Sequence, residues 1–340
     1  GHQFDAYGQS FVTDGAGFQG VSWAVDGATY FTLAPYRRTL ASISPGAYPK
    51  FAGLEIVRST HFPADWQGDM ITSDFRAHRV VRFKASDQGA GYVTKEMPDL
   101  MRTTADSFRP IDVKLGPDGA LYVAENDKIS RYDDIEARLE APPAPVQVAK
   151  LTADRWHGWR YIAFGPDQKL YVTLGAPCNV CDKDSEGYAQ IVRMNADGSA
   201  REVVAHGVRN SVGLAWHPRT RELWFSDNGR DLLGDDVPPC EINRVRKVGA
   251  HYGFPFCHAG DVSDPEFGRT RACSEFTPPA LKLGAHVAPL GMRFYTGNAF
   301  PAWKGNALMG GLATQTITRF QMDGKGGAKA VSRLAVGKRI

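Results

Sequence analysis

One short unit, repeated along the chain, limits what this protein can fold into more than any other feature. Arg160 to Val172 reads RYIAFGPDQKLYV. Tyr161-Ile162-Ala163-Phe164 is an apolar run, Gly165-Pro166-Asp167-Gln168 is turn chemistry, and Lys169 to Val172 runs back. Proline presets φ for the turn, and the aspartate accepts hydrogen bonds from its own backbone. The unit stands earlier as DVKLGPDGALYV, Asp112 to Val123, and later as GLAWHPRTRELWF, Gly213 to Phe225. Its prolines, Pro117, Pro166 and Pro218, lie roughly 50 positions apart, the period of propeller blades.

Weaker copies fill the rest of the chain. Residues 17–45 hold one, with the turn Val25-Asp26-Gly27 before Ala28-Thr29-Tyr30-Phe31. Residues 62–84 hold a second, followed by Phe108–Tyr132, Arg160–Met194, Ser211–Val245 and Phe300–Met322. FPADWQG at Phe62 is echoed by FPAWKG at Phe300. Asp-Gly pairs at Asp197-Gly198 and Asp323-Gly324 are hairpin turns. Six strand-turn-strand units predict an all-β, six-bladed β-propeller over residues 1–340 as a single domain. A β-sandwich, or two unrelated β domains, is the alternative. Where a further inner strand is expected the chain stops at Ile340, so Phe4 to Thr13 is expected to close the ring by pairing with the last blade.

The formal net charge of +3 is too small to argue for nucleic acid or an anionic membrane surface. No apolar run is long enough for a spanning helix. No secretory leader is read here, and Gly1-His2 is consistent with a mature or trimmed start. Of five cysteines, Cys178 and Cys181 lie in GAPCNVCD, Cys257 and Cys273 bracket a polar insertion, and Cys240 is left over. Two local disulfides in a periplasmic or secreted protein is the simplest reading. A zinc site that includes His258 is the alternative, although no second CxxC completes its ligands.

The long connections, 135–160, 173–190, 228–242 and 251–298, are where a site is expected. His157 stands at a loop–strand junction in HGWR and suits a general base; a partly exposed loop histidine is the plain alternative. Arg209 and Asn210, in GVRNS, offer a planar fork and an amide; a surface arginine with a turn asparagine is the plain alternative. Ser226-Asp227-Asn228-Gly229-Arg230-Asp231, with Asp235-Asp236, has the carboxylates and loop carbonyls that suit Ca²⁺, or is a solvated acidic loop. All three occupy equivalent blade edges.

These stretches carry a family resemblance. HGWRYIAFGPDQKLYVTLGAPCNVCD, HGVRNSVGLAWHPRTRELWFSDNGRDLLGDD, CEINRV and HYGFPFC resemble the sugar dehydrogenases that depend on pyrroloquinoline quinone (PQQ), especially the sorbosone dehydrogenase branch. The resemblance is dense from about residue 120 to 298. Residues 1–124 look more like the propeller of haem-fused relatives, and 300–340 more like soluble glucose dehydrogenases. A hybrid or engineered propeller, one without catalytic activity included, is therefore an alternative. No CxxCH haem motif is present.

The resemblance implies a six-bladed propeller that binds PQQ and Ca²⁺ and oxidises a small-molecule sugar (an aldose or sorbosone-like), passing electrons to an acceptor. His157 is then the base. Arg160, Arg209, Asn210, Asn228 and Arg339 are the cofactor contacts, and the carbonyls of Gly229 and Arg230 bind the calcium. Three departures stand out. Trp156 holds the place where glucose dehydrogenases keep their base. Ala313 stands where a lysine clamps the quinone's carboxylates. Of an expected arginine pair only Arg339 is present. A cofactor-less propeller scaffold is the main rival. A metal-dependent lactonase built on Glu125, Asn210 and Asp227 is a third reading.

Overall fold

The computed structural model describes residues 1–13, 20–25, 32–33, 37–38, 42–48, 50–138, 141–298, 300–314, 316–322 and 328–336. The turn at Asp26-Gly27, the run Ala28–Phe31, the turn at Asp323-Gly324, and Arg339 lie outside the described residues. The chain divides into two compact units, one of Gly1–Ala28 with Arg38–Leu151, the other of Thr29–Arg37 with Thr152–Ile340.

Six sheets of three or more strands, three in each unit, are the blades of a β-propeller, and two two-stranded pieces accompany them. In the first unit, His2–Phe4, Ser10–Thr13 and Val21–Ala24 form one sheet. The second sheet is built on Phe51–Ile56, Met70–Asp74 and Arg79–Gln88, and the third runs Asp112–Leu115, Leu121–Ala124, Lys128–Tyr132, Val146–Lys150. In the second unit the fourth sheet runs Ile162–Phe164, Leu170–Leu174, Gln190–Met194, Glu202–His206, and Ala250–His251 adds a fifth strand parallel to the last. The fifth runs Leu214–Trp216, Leu223–Asp227, Pro239–Arg244, Leu281–Ala285, and the sixth Pro289–Phe294, Ala307–Gly311, Thr316–Met322, Ala328–Val336.

Apolar clusters fill the spaces between successive sheets of a unit. Phe51 and Phe83 pack with Phe11 and Val21, and Ile71 and Val80 with Val113 and Leu121. In the second unit Tyr171 and Ile191 pack with Leu214 and Phe225, and Trp224 with Met292 and Phe294. Burying one such side chain contributes roughly 1.5–3 kcal/mol.

The repeated turn behaves as its residues demand. Gly165 N–H donates to Lys169 O at 2.9 Å, Gln168 adopts φ +60°, and the Tyr171 hydroxyl donates to Asp167 Oδ2 at 2.9 Å. The earlier copy repeats this, Tyr122 donating to Asp118 Oδ2 at 2.7 Å. In the later copy the turn is one residue longer, and the His217 imidazole replaces the carboxylate, accepting from the Arg219 and Thr220 amides.

Two expectations are corrected. Phe4 to Thr13 does not complete the last blade: His2–Phe4 pairs with Ser10–Thr13, which pairs with Val21–Ala24. The last sheet takes its fourth strand from Ala328–Val336 instead. Nor is 251–298 one insertion: Leu281–Ala285 completes the fifth sheet and Pro289–Phe294 opens the sixth. The echoed FPADW and FPAW segments are short 3₁₀ turns, Ala64–Trp66 and Pro301–Trp303, just ahead of strands. Both proposed disulfides are present, Cys178–Cys181 and Cys257–Cys273, and Cys240 is a buried thiol. Among the described residues no helix is long and apolar enough to cross a membrane.

Candidate active site

In the second unit, His157 precedes the first strand of the fourth sheet, and Ala176 follows the second. Arg209 and Asn210 precede the first strand of the fifth sheet, and Asn228 follows its second. Antiparallel pairing of Ile162 with Val172 and of Leu214 with Phe225 therefore puts all of them at the corresponding end of their sheets.

The loop that carries His157 is tied from beneath. Arg160 is 1% exposed, and its Nη1 donates to His157 O at 3.2 Å while Nη2 donates to Thr152 O at 2.7 Å. Arg160 thus folds residues 152–160 back on themselves. His157 sits in the left-handed region at φ +48°, and its Nδ1 lies 2.8 Å from the Ala176 carbonyl. A carbonyl only accepts, so Nδ1 carries the proton and Nε2 carries the lone pair. Burial lowers the His157 pKa to about 4, helped by the charge of Arg209; the Ala176 carbonyl and Asp231 oppose the shift. The imidazole is thus neutral at pH 7. Beside it the Trp156 ring is 55% exposed, with its centroid 6.2 Å from the imidazole.

Arg209 is buried, and all five of its N–H donors are engaged. Nε meets Asn179 O at 2.8 Å; Nη1 meets Asn228 O at 3.3 Å and Gly229 O at 2.9 Å; Nη2 meets Asn179 Oδ1 at 2.8 Å and Asp231 Oδ2 at 3.2 Å. Burial lowers its pKa and the charges of Asp231 and Asp227 offset this. Asn179 lies inside the loop closed by Cys178 and Cys181, and exchanges two further bonds with the Asp231 backbone. Asn228 turns its amide to the carbonyls of Asn210 and Pro289, at 2.9 and 3.1 Å.

Asn210 is different. Its backbone N–H donates to Asp227 Oδ1 at 2.7 Å, but its side-chain Oδ1 is buried and accepts no hydrogen bond from the described residues. A Cβ on Gly175 would lie 2.6 Å from His157 Cβ and 3.4 Å from Asn210 Oδ1. Glycine at 175 therefore lets the His157 loop pack directly against this strand end, beside the unpartnered Asn210 Oδ1.

Beneath these groups two carboxyls face each other across paired strands, Asp227 opposite Glu241. Burial raises both pKa values, and Asp227 is raised further by Glu241. Asp227 accepts the amides of Arg209 and Asn210, at 2.9 and 2.7 Å, so neither of its oxygens is turned outward as the lactonase reading needs. Arg230 turns away to Asp264, which also accepts from the His258 Nε2 at 2.9 Å. Hydrogen bonds from His258, Phe267, Arg230 and Glu266 outweigh burial and hold Asp264 down at about 2.

The structure thus gathers His157, Arg209, Asn210, Asn228 and Gly229, and gives Arg160 and the Arg230 side chain to holding loops. Sequence reasoning missed Asn179, His258 as a buried partner, and Asp264, and named Asp231 as a calcium carboxylate where the structure makes it a partner of Arg209. Only the placement of Asn179 inside CNVC could have signalled the first. The donor set suits a quinone and its substrate, because His157 offers a neutral proton acceptor and Asn210 Oδ1 is buried without a partner among the described residues. Calcium does not fit the turn as arranged, because the Gly229 carbonyl is held by Arg209. Among the described residues no group of three or more His, Cys, Asp or Glu side chains could hold a metal.

A family model described as Glucose / Sorbosone dehydrogenase matches residues 145–340, and a domain of unknown function matches 18–127. An uncharacterized protein of Borreliella burgdorferi is 42% identical over 196 residues, 54% of this chain and 52% of the relative. The chain spans about half the length of the curated relatives it matches. A calcium structure of a Trichoderma reesei carbohydrate-active enzyme of family AA12 superposes with TM-score 0.66 at 19% identity, covering 84% of this chain and 80% of that one. The PQQ-bound aldose sugar dehydrogenase of Streptomyces coelicolor superposes with TM-score 0.60 at 22% identity, covering 86% and 84%. At these identities the structures speak for the fold. More than half of the chain matches the family model, and the protein belongs to the glucose/sorbosone dehydrogenase family.

Proposed function

We propose that this chain is a PQQ-dependent dehydrogenase of a small sugar, an aldose or sorbosone-like, with His157 as the base. The observation that carries the reading is the His157 tautomer: Nδ1–H spent on Ala176 O, Nε2 left as acceptor, and no charge at pH 7. When bound, the quinone supplies a two-electron hydride acceptor. His157 Nε2 accepts the sugar hydroxyl proton. Arg160 and Ala176 fix the loop and ring so that Nε2 keeps its aim. The Asn210 Oδ1, buried and without a partner among the described residues, is the group that would accept a hydrogen bond from a polar ring of the cofactor. Calcium is given no step while Arg209 holds Gly229. Export to a compartment that sustains disulfides, and an external electron acceptor as partner, complete the proposal.

The test adds PQQ to the purified protein, with and without Ca²⁺, and follows both quinone binding by absorbance and dye reduction with several aldoses. The reading expects binding, turnover, and turnover lost in His157→Ala with binding retained. Absence of quinone binding under either condition sinks it. The scaffold reading, supported by the full engagement of Arg209 and by Ala313, then takes its place.

A further inference from the structure

The turn that carries His157 is seated on a strand end that has no side chain. Arg155 O accepts from Gly158 N–H at 3.2 Å, which makes His157 the third residue of a four-residue turn. It holds φ +48° there, a conformation that turns ordinarily give to Gly or Asn. Contacts outside the turn hold it in place. Arg160 Nη1 donates to His157 O at 3.2 Å, and Ala176 O accepts the Nδ1 proton at 2.8 Å. Ala176 is itself fixed, since its N–H donates to Arg209 O at 2.8 Å, so its carbonyl cannot follow the ring. The third contact is Gly175, immediately after the strand Leu170–Leu174. A Cβ there would lie 2.6 Å from His157 Cβ and 2.7 Å from His157 O, but 3.4 Å from Asn210 Oδ1. The first two are closer than packed atoms come, and neither atom can rotate away; the third is ordinary contact. A methyl at 175 would displace the base and leave the Asn210 amide alone. Gly175 is not among the glycines at positive φ, so room for His157 is what its missing side chain supplies.

We propose that Gly175 is a positioning residue for His157, its lack of a side chain letting the strained turn sit close enough to the strand end for Nδ1 to reach Ala176 O. The inference rests on the dehydrogenase reading for what the imidazole does, and on the chain alone for how it is held. A side chain at 175 lifts the turn, breaks the Nδ1 bond and lets water reach the ring. The charged groups around the ring are Arg209 and Asp231 from the fifth sheet's loops, with Arg160 and Asp154 on its own loop. None of them is altered by the substitution, so the ring responds to its lost burial and hydrogen bond.

The experiment follows the His157 imidazole by ¹⁵N NMR on the full chain, with neither quinone nor sugar present. Wild type is expected to show one tautomer, protonated on Nδ1, titrating near pH 4. Gly175→Ala is expected to mix the tautomers and raise that pKa by about one unit or more. Gly310→Ala is the control, since an added Cβ there would lie 4.0 Å from Leu290 Cβ, and it should change neither. With quinone loaded, Gly175→Ala should lose about 10²-fold in kcat, the cost of about 1 Å of misplacement, with quinone affinity retained. A wild-type ring in two tautomers overturns the proposal, as does a Gly175→Ala ring that keeps either the wild-type tautomer or its pKa. If Gly175→Ala does not fold, His157→Gly is added to it. A glycine turn has no Cβ and can tilt its carbonyl, so folding should return; a double variant that still does not fold overturns the proposal. The spectra need no cofactor, so the positioning of His157 and the dehydrogenase reading fail separately.

Discussion

The second unit holds two imidazoles in two loops, one partly buried and one buried, and they are put to opposite uses. In the loop at 152–160, His157 leans on a carbonyl. In the insertion at 251–280, His258 leans on the Asp264 carboxylate, which also holds Arg230. Burial lowers the pKa of both. A carbonyl fixes a tautomer and leaves the far nitrogen to accept a proton. A carboxylate brings a charge that must itself be balanced, so His258 becomes one member of a structural trio. The partner, more than the residue type, separates a candidate base from a fastener.

Four measurements test that contrast, in falling order of expected effect. His157→Ala should lower kcat/KM for sugar oxidation by about 10²–10⁴-fold, the usual contribution of a positioned acid–base group, with the melting temperature close to wild type. A comparable loss in His258→Ala without destabilisation would break the contrast. Asp264→Ala leaves Arg230 and His258 without their anion, and should cost about 3–5 kcal/mol in denaturant unfolding. The pH dependence of kcat/KM should stay in place in that variant. Removing Cys257–Cys273, which spans 16 residues, should cost about 3 kcal/mol by loop entropy. Removing Cys178–Cys181, with a separation of 3, should cost about 2 kcal/mol.

The smallest effect is the slope of stability with pH. His157 and His251 are lowered to about 4 from 6.5, so the unfolded chain binds their protons first. Stability should be at full value above pH 6.5 and fall as pH drops toward 4. Asp264, lowered from 3.8 to about 2, contributes above pH 4 and is lost below it, so both effects point the same way. Melting curves of His157→Gln should be flatter than wild type between pH 6.5 and 4. On the same basis kcat/KM should fall with an apparent pKa near 4, not 6.5.

The blade turns were legible because their physics is local. Gly165, Pro166, Asp167 and Tyr171 lie within one hairpin and satisfy one another. The strand Pro289–Phe294 was hidden because a bulge between Pro289 and Met292, with Gly291 inside it, breaks the alternation that marks a strand. His157 could be named from its junction, but its tautomer depends on Ala176, 19 residues on. The role of Asn179 was not legible beyond its place inside CNVC, since its partners Arg209 and Asp231 stand 30 and 52 residues away. Arg160 and Arg209 look alike in sequence, each just ahead of an inner strand. Only the acceptors they meet show that one ties its own loop and the other fills a shell of oxygens.

The chain's one Asn-Gly pair, Asn228-Gly229, is the sequence most prone to spontaneous deamidation, in which the following amide nitrogen attacks the asparagine side-chain carbonyl. Here the Asn228 amide is fastened by two carbonyls, and Gly229 O is held by Arg209. Ring closure to a succinimide needs that whole turn to rotate. The folded protein therefore ages slowly at this bond, and a chain that has spent time unfolded carries a mass gain of about 1 Da there as a record of it.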